Sequence, residues 1–473
     1  MNVFPAEFLW GGAMSNVQAE GGCFADGKGL NVFDTLEVRK EYGQESVDNS
    51  DLAANHYFQY EEDISLMKEM SFKALRLSIV WSRIYPTGVE DEPNEPGLAH
   101  YEKVIDRLME AGIEPVVSLV HFDMPDYLSK TYNGFYSKEV VDFYAHHVET
   151  VAERFRNKVK YWITYNEMNT ATMTHSKLVS GASIPSGISA EEYFRTIVFN
   201  TQLAHAKAVA IIKEKAPEAK VSGMINFYQI YPKTLSPKDV LAAAIANDFL
   251  CLLTFDIMTQ GIYPTYYKEF LSECGLAEDD REGLEIIRRS SEQIDFLSIS
   301  YYQTCEISGP EIEDPLEFEK SVIFRPQLSM NEHLEKTDWG WSIDPSGFRK
   351  VLSTLNQRYH KPIFVVENGI AGDEKPDSRG AIDDDYRIRF YREHIKNMQD
   401  AIESDGAEII GYLAWSPIDF LSSHKEMRKR YGFIYVDSDH YEDHKMKRTP
   451  KKSFYWYKRL IESNGASLYE VSE

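Results

Sequence analysis

Cysteine is scarce in this chain. Cys23, Cys251, Cys274 and Cys305 are the only four among 473 residues, and none stands in C-x-x-C or Cys/His ligand spacing. A chain this long buries a large core without disulfide or metal staples. Scattered thiols suit a reducing compartment, where each is expected to be buried and structural. Also missing is the basic start and continuous apolar stretch of a signal peptide: the first residues read MNVFPAEFLWGGAMSNVQAEGG. No uninterrupted apolar run reaches the roughly 18 residues of a membrane span. The richest candidate, from Val240, is broken by Asn247 and Asp248 and is expected to be a buried helix. A cytoplasmic protein follows. Positive charge is in short supply as well, with 51 basic against 75 acidic residues and a net charge of −24. That balance disfavours nucleic acid and anionic membranes as partners, and any anionic substrate then requires a locally basic pocket. Low-complexity segments, fixed-period repeats, Pro/Gly/Ser linkers and glycine-rich phosphate motifs are all absent.

What is abundant is aromatic: 13% of the residues. A large core accounts for that, and so does a sugar cleft, where flat rings face the apolar faces of pyranoses. Short apolar runs alternate with amphipathic stretches along the chain. The expected strands are Leu9–Ala19, Ala74–Val80, Pro115–Val120, Tyr161–Tyr165, Lys220–Met224, Phe296–Ser300, Ile363–Val366 and Ile409–Leu413. Helical patterns between them include Leu98–Glu110, Glu139–Arg154, Tyr193–Lys215, Pro345–Tyr359 and Asp384–Glu403. Eight strands alternating with helices predict an α/β protein, one (β/α)₈ TIM barrel forming a single domain over 1–473. An open doubly wound sheet fits the alternation too, without a motif to support it.

Polar and aromatic residues gather just past the expected strand ends: Gln18 and Glu20, Arg76, His121, Asn166 and Glu167, Tyr302, Glu367 and Asn368, Trp415. The C-terminal rim is where such barrels do chemistry. Glu167 in YWITYNEMN and Glu367 in PIFVVENG each adjoin a side-chain amide. Either alone reads as a surface charge or helix cap. On the fourth and seventh strands together they would face each other, and paired carboxyl groups are what glycoside hydrolysis requires. One must stay protonated and the other ionised. Arg76 and Tyr302 are the expected partners of an ionised Glu367, and Glu167, beside Asn166 and Tyr165, is the expected acid.

Beyond this chemistry, the chain resembles glycoside hydrolase family 1, the β-glucosidases and 6-phospho-β-glycosidases, along essentially its whole length. FPAEFLWGGAMSNVQAEGG, ALRLSIVWSRIYP, LVHFDMPDYL, WITYNEMN, DFLSISYYQ, FVVENG and YLAWSPID carry the likeness, in the family's order. The resemblance implies Glu167 as acid/base and Glu367 as nucleophile, supported by Arg76 and Tyr302. It implies glycone contacts from Gln18, His121, Asn166 and Trp415, retention of anomeric configuration, and no cofactor. Two departures stand out: Phe122 replaces a usual tryptophan, and Ser300-Tyr301-Tyr302 replaces Asn-Tyr-Tyr.

The stretch from Trp415 to Asp437 decides the substrate. Family members acting on plain sugars carry glutamate then tryptophan where this chain has Ser422 and Ser423. A glutamate there would meet a phosphate as like charge. Ser422, Lys429 and Tyr431 instead resemble the 6-phosphate site of the phospho-glycosidase branch, and HKEMRKRYG is a basic run in an acidic chain, Lys425, Arg428 and Arg430 adding field. Small Ser423 favours glucose, with galactose as a second substrate. Trp339 and Trp341 are core residues or, by the resemblance, the leaving-group side, with Asn226 and Tyr228 as companions. A 6-phospho-β-galactosidase, a plain β-glucosidase, a non-catalytic sugar binder and a phosphosugar isomerase or aldolase are the rivals. The aldolase lacks a suitably placed strand lysine. The residues leave monomer or homo-oligomer open.

Overall fold

The computed structural model describes residues 4–36, 48, 50–172, 177–276, 280–442 and 445–470. Its centre is a parallel barrel. Strands β1 (Leu9–Ala13), β2 (Ala74–Ser78), β3 (Glu114–Ser118) and β4 (Tyr161–Ile163) pair in chain order. The fifth, β5, comes in two pieces, Lys220–Ser222 and Met224–Asn226, followed by β6 (Leu297–Tyr301), β7 (Ile363–Asn368) and β8 (Ile409–Trp415). Register runs from Leu9↔Gly411 to Ala13↔Trp415, so β8 returns to β1. The two pieces of β5 pair with different neighbours, the first with β4 and the second with β6. They meet at Gly223, where a Cβ would come within 2.6 Å of Met258 and 2.8 Å of Met168. Any larger residue there would have to displace the ends of both methionine side chains.

The sequence expectations hold in kind and slip at the ends. The run expected as one strand over Leu9–Ala19 is a strand to Ala13 and then a helical turn, Asn16–Ala19. The fourth strand stops at Ile163, because Tyr165 and Asn166 already belong to the rim. Flanking helices begin up to three residues early where caps extend them: Ser189 accepts from Glu192 N–H and starts Ala190–Lys215. Asp344 caps Pro345–Tyr359, which matches its predicted bounds. Strand side chains are buried on both faces, as helices covering a parallel barrel demand.

Helix residues Pro237–Gln260 are long and apolar enough to cross a membrane by length and composition, yet 61% of their most apolar window is buried in the fold. That face is core. The cysteines are free; three are buried and Cys274 is half-buried, short of the full burial expected of it. Two small sheets decorate the chain: Gln229–Pro232, Thr304–Ile307 and Leu328–Ser329 beyond the ends of β5 and β6, and the hairpin Ile434–Glu442 with Lys445–Pro450 after β8.

Candidate active site

Strand geometry aims the two carboxyl groups. Register shifts between Val365 and Glu367 mark a bulge in β7, and the extra residue redirects Glu367 toward the barrel mouth. Glu167, four residues past β4, sits in the left-handed region with φ +50°, a strained setting for a side chain that the surroundings must hold. Both line one cavity of about 200 Å³ at the C-terminal rim, together with Gln18, His121, Phe122 and Trp415. Tyr302, Trp341, Ser422, Ser423 and Tyr431 close another side of it. Larger hollows exist, one of about 880 Å³ beside Glu114 and Pro115 at the opposite end of the barrel. It lies at the face where such barrels do no chemistry.

Arg76 on β2 organises the floor. Its guanidinium pairs with Glu367 Oε1, donates to Asn166 Oδ1 at 2.6 Å and to Ser118 Oγ at 2.8 Å, and reaches His121 Nδ1 at 3.5 Å. Tyr302 Oη donates to the other oxygen of Glu367 at 2.8 Å. Burial pushes Glu367 above the usual carboxylate range, against the pull of Arg76 and Tyr302. The carboxylate is thus held by two donors, but in a dry place. Glu167 is pushed further, to about 8, first by burial and then by the charge of Glu367. Ser300 Oγ donates to Glu167 Oε1 at 3.1 Å and, with the Asn226 side chain, moderates the rise. Two acids repelling each other across one cavity titrate as a pair, and the one without a guanidinium keeps the proton. His121 is held neutral by burial and by Arg76.

Gln18 Oε1 and Asn166 Nδ2 are buried without a partner. Such atoms call for a partner the protein does not supply; Gln18 lines the cavity, whereas Asn166 is not among its walls. Gln303 Oε1 is a third, on the same cavity. Sequence reading missed Gln303; its place directly after Tyr302 at a strand end was the available signal. Among the described residues no cluster of three metal-ligating side chains exists.

The basic stretch divides. Ser422 Oγ accepts N–H groups from His424 at 3.3 Å and Glu426 at 3.2 Å, which leaves its hydroxyl proton to donate outward. Lys429 Nζ lies over the Trp341 ring at 4.0 Å, Trp339 at 5.5 Å and Tyr431 at 5.8 Å. Burial lowers it to about 8. Lys425 and Arg430, expected to lend field, are engaged elsewhere: Lys425 Nζ donates to the carbonyls of Asp34 and Leu36, and Arg430 pairs with Asp419 at 3.0 Å. Arg428 is exposed, 5.8 Å over Trp339. Glu20 and Asn368, which also stood at strand ends, are structural; Glu20 pairs with Arg83 at 3.1 Å and Asn368 accepts from Tyr412 Oη. Trp341 and Asn226 reach the cavity, whereas Trp339 and Tyr228 are not among its walls.

A (β/α)₈ barrel with two facing carboxyl groups at its C-terminal rim, one protonated and one clasped by arginine and tyrosine, has the equipment of a glycoside hydrolase. The sequence model described as Glycosyl hydrolase family 1 matches residues 1–466, and the chain belongs to that family. It is 40% identical over 477 residues to an aryl-phospho-beta-D-glucosidase of Bacillus subtilis (strain 168), covering 98% of each. A phospho-cellobiase of Klebsiella oxytoca is also 40% identical, with 99% of this chain and all of the relative aligned. The fold superposes on a family 1 β-glucosidase from Thermotoga maritima with TM-score 0.83 and 30% identity, 98% of both chains being covered.

Proposed function

We propose that this hydrolase cleaves 6-phosphorylated β-glucosides by a retaining, two-step displacement. The observation that carries the chemistry is the shared cavity: Glu167 and Glu367 line it together, and Glu167 is raised to about 8 while Arg76 and Tyr302 bind Glu367. Glu367 attacks the anomeric carbon as Glu167 gives its proton to the departing oxygen, breaking the C–O bond. Glu167, now ionised, takes a proton from water; that water attacks the anomeric carbon and frees Glu367. Gln18, His121, Asn166 and Trp415 hold the glycone hydroxyls. Ser422, Lys429 and Tyr431 hold the phosphate, a reading supported by the phosphorylated substrates in the relatives' names. Trp341, Asn226 and Gln303 face the leaving group. The chain works as one catalytic domain in the cytoplasm, where its free thiols stay reduced.

Hydrolysis of p-nitrophenyl β-glucoside 6-phosphate, set beside the plain glucoside and the galactoside 6-phosphate, tests the substrate. Strong preference for the phosphorylated glucoside is expected, and preference for the plain sugar overturns the phosphate site. Proton NMR of the first-formed sugar should show the β-anomer; an α-product refutes retention.

A further inference from the structure

Glu167 is held from one wall. Its partners Ser300 and Asn226 are register partners at the adjoining ends of β6 and β5. The placement of Asn226 thus fixes where half of that contact falls, and Asn226 closes a strand of only three residues.

What holds Asn226 is a buried amide two residues beyond Glu167. Asn169 Oδ1 accepts the Asn226 N–H at 2.9 Å, and Asn169 Nδ2 donates to the Asn226 carbonyl at 2.8 Å. The same Nδ2 donates to the carbonyl of Leu250, also at 2.8 Å. Leu250 belongs to a π-type turn, Asn247–Leu252, set within the helical run Pro237–Gln260. Such a wide turn loosens the regular ladder and opens carbonyls to outside donors, and it recurs near functional sites. The turn is itself pinned: Asn247 Nδ2 donates to the Ile230 carbonyl at 2.8 Å, and Asn247 Oδ1 accepts the Ile230 N–H at 3.2 Å. Hydrogen bonds therefore run from the helix through Asn169 to Asn226, whose side chain lines the cavity wall beside Glu167.

We infer that Asn169 is a positioning residue for the proton donor: it transfers the fixed position of the π-type turn to Asn226, and so fixes Asn226 against Glu167. A side chain in the left-handed region needs such external support, because its own backbone does not favour it. The inference rests on Glu167 being the acid.

The test is the pH dependence of kcat/KM for p-nitrophenyl glucoside 6-phosphate in Asn169→Ala, Asn226→Ala and the double variant. Asn226 donation favours the ionised form of Glu167, so losing it moves the alkaline limb to higher pH. Both single variants should show that displacement, with turnover down about tenfold or more, and the double variant should go no further. Asn169→Asp keeps the acceptor for Asn226 but loses both donations, and it should lie between, which keeps the test open if the alanine variant folds poorly. An unmoved limb, or shifts that add, overturns the inference. Glu167→Gln separates the two failures: if its alkaline limb persists, Glu167 is not the acid; if the limb vanishes there but is unmoved in the Asn169 variants, only the positioning role falls.

Discussion

Lys429 carries its ammonium 4.0 Å above the ring of Trp341, a wall of the cavity that holds both glutamates. One ring face is thereby occupied by a cation, so in the proposed phosphate site Trp341 bears on binding through Lys429. A partly desolvated cation–π contact is worth about 0.5–2 kcal/mol. Trp341→Leu should raise KM for the phosphorylated glucoside by about 2- to 30-fold more than KM for the plain glucoside on that scale. In the Lys429→Met background that difference between the two sugars should disappear. Equal effects on both sugars would assign Trp341 to the leaving group alone.

Charge on Lys429 also sets a pH limit. Burial brings it to about 8, and above that value the empty site loses its cation. KM for the phosphorylated substrate is expected to climb above pH 8, while KM for the plain sugar stays level. Parallel pH series with the two substrates check this; a matching climb in both would remove Lys429 as the cause.

The proposed choice between sugars turns on Ser422, whose hydroxyl oxygen already accepts two backbone N–H groups and keeps its proton to donate. Ser422→Glu places a carboxylate there, and like-charge juxtaposition costs several kcal/mol. We expect kcat/KM on the phosphorylated glucoside to fall at least about hundredfold, and activity on plain glucoside to rise. Unchanged preference would move the phosphate elsewhere.

Glu167 trades stability for chemistry. Its proton persists to about pH 8 in the fold, whereas the unfolded carboxyl releases it near the ordinary value of 4.5. Between those values the folded state binds the extra proton, so stability falls as pH rises through the window. Glu167→Gln cancels this: its Tm should exceed that of the parent at pH 8 and converge with it near pH 4, with turnover nearly abolished. A variant less stable than the parent at pH 8 would contradict the burial-driven rise.

Much of this site is legible in sequence because it sits at strand ends. Hydrophobic runs locate the barrel strands; His121, Glu167 and Tyr302 follow theirs onto the rim, while Arg76 lies within β2 and Glu367 and Trp415 stand in the last residues of β7 and β8. Strand ends do not reveal which polar residue is already satisfied. Glu20, Asn368, Lys425 and Arg430 resemble site residues in sequence, yet each finds its partner tens or hundreds of positions away or across the fold. Nor does the sequence announce the bulge that re-aims Glu367 or the π-type turn beneath Asn169, since both are irregularities imposed by packing.

Arg430 belongs to a buried charge network beneath the loop that carries Lys429 and Tyr431. Asp419 accepts from Arg430 at 3.0 Å, from Lys451 at 2.8 Å and from the Gly432 N–H at 2.9 Å. Lys451 also pairs with Glu374, which Arg387 contacts at 2.7 Å. Removing one member strands buried charges, at about 3–5 kcal/mol. Asp419→Ala should lose that much in urea unfolding and weaken phosphate selectivity, because Lys429 and Tyr431 flank Arg430 in the chain. Lys452→Met, which breaks only exposed pairs with Asp383 and Asp385, should cost no more than about 1 kcal/mol. Burial opposes the ionised form of Glu374, but Arg387 and Lys451 bring its carboxyl down to about 2. Its share of stability is then complete above pH 4.5 and lost as pH falls toward 2. If Asp419→Ala and Lys452→Met prove equally mild, the buried network contributes no more than a surface pair, and the loop carrying Lys429 and Tyr431 is held by something else.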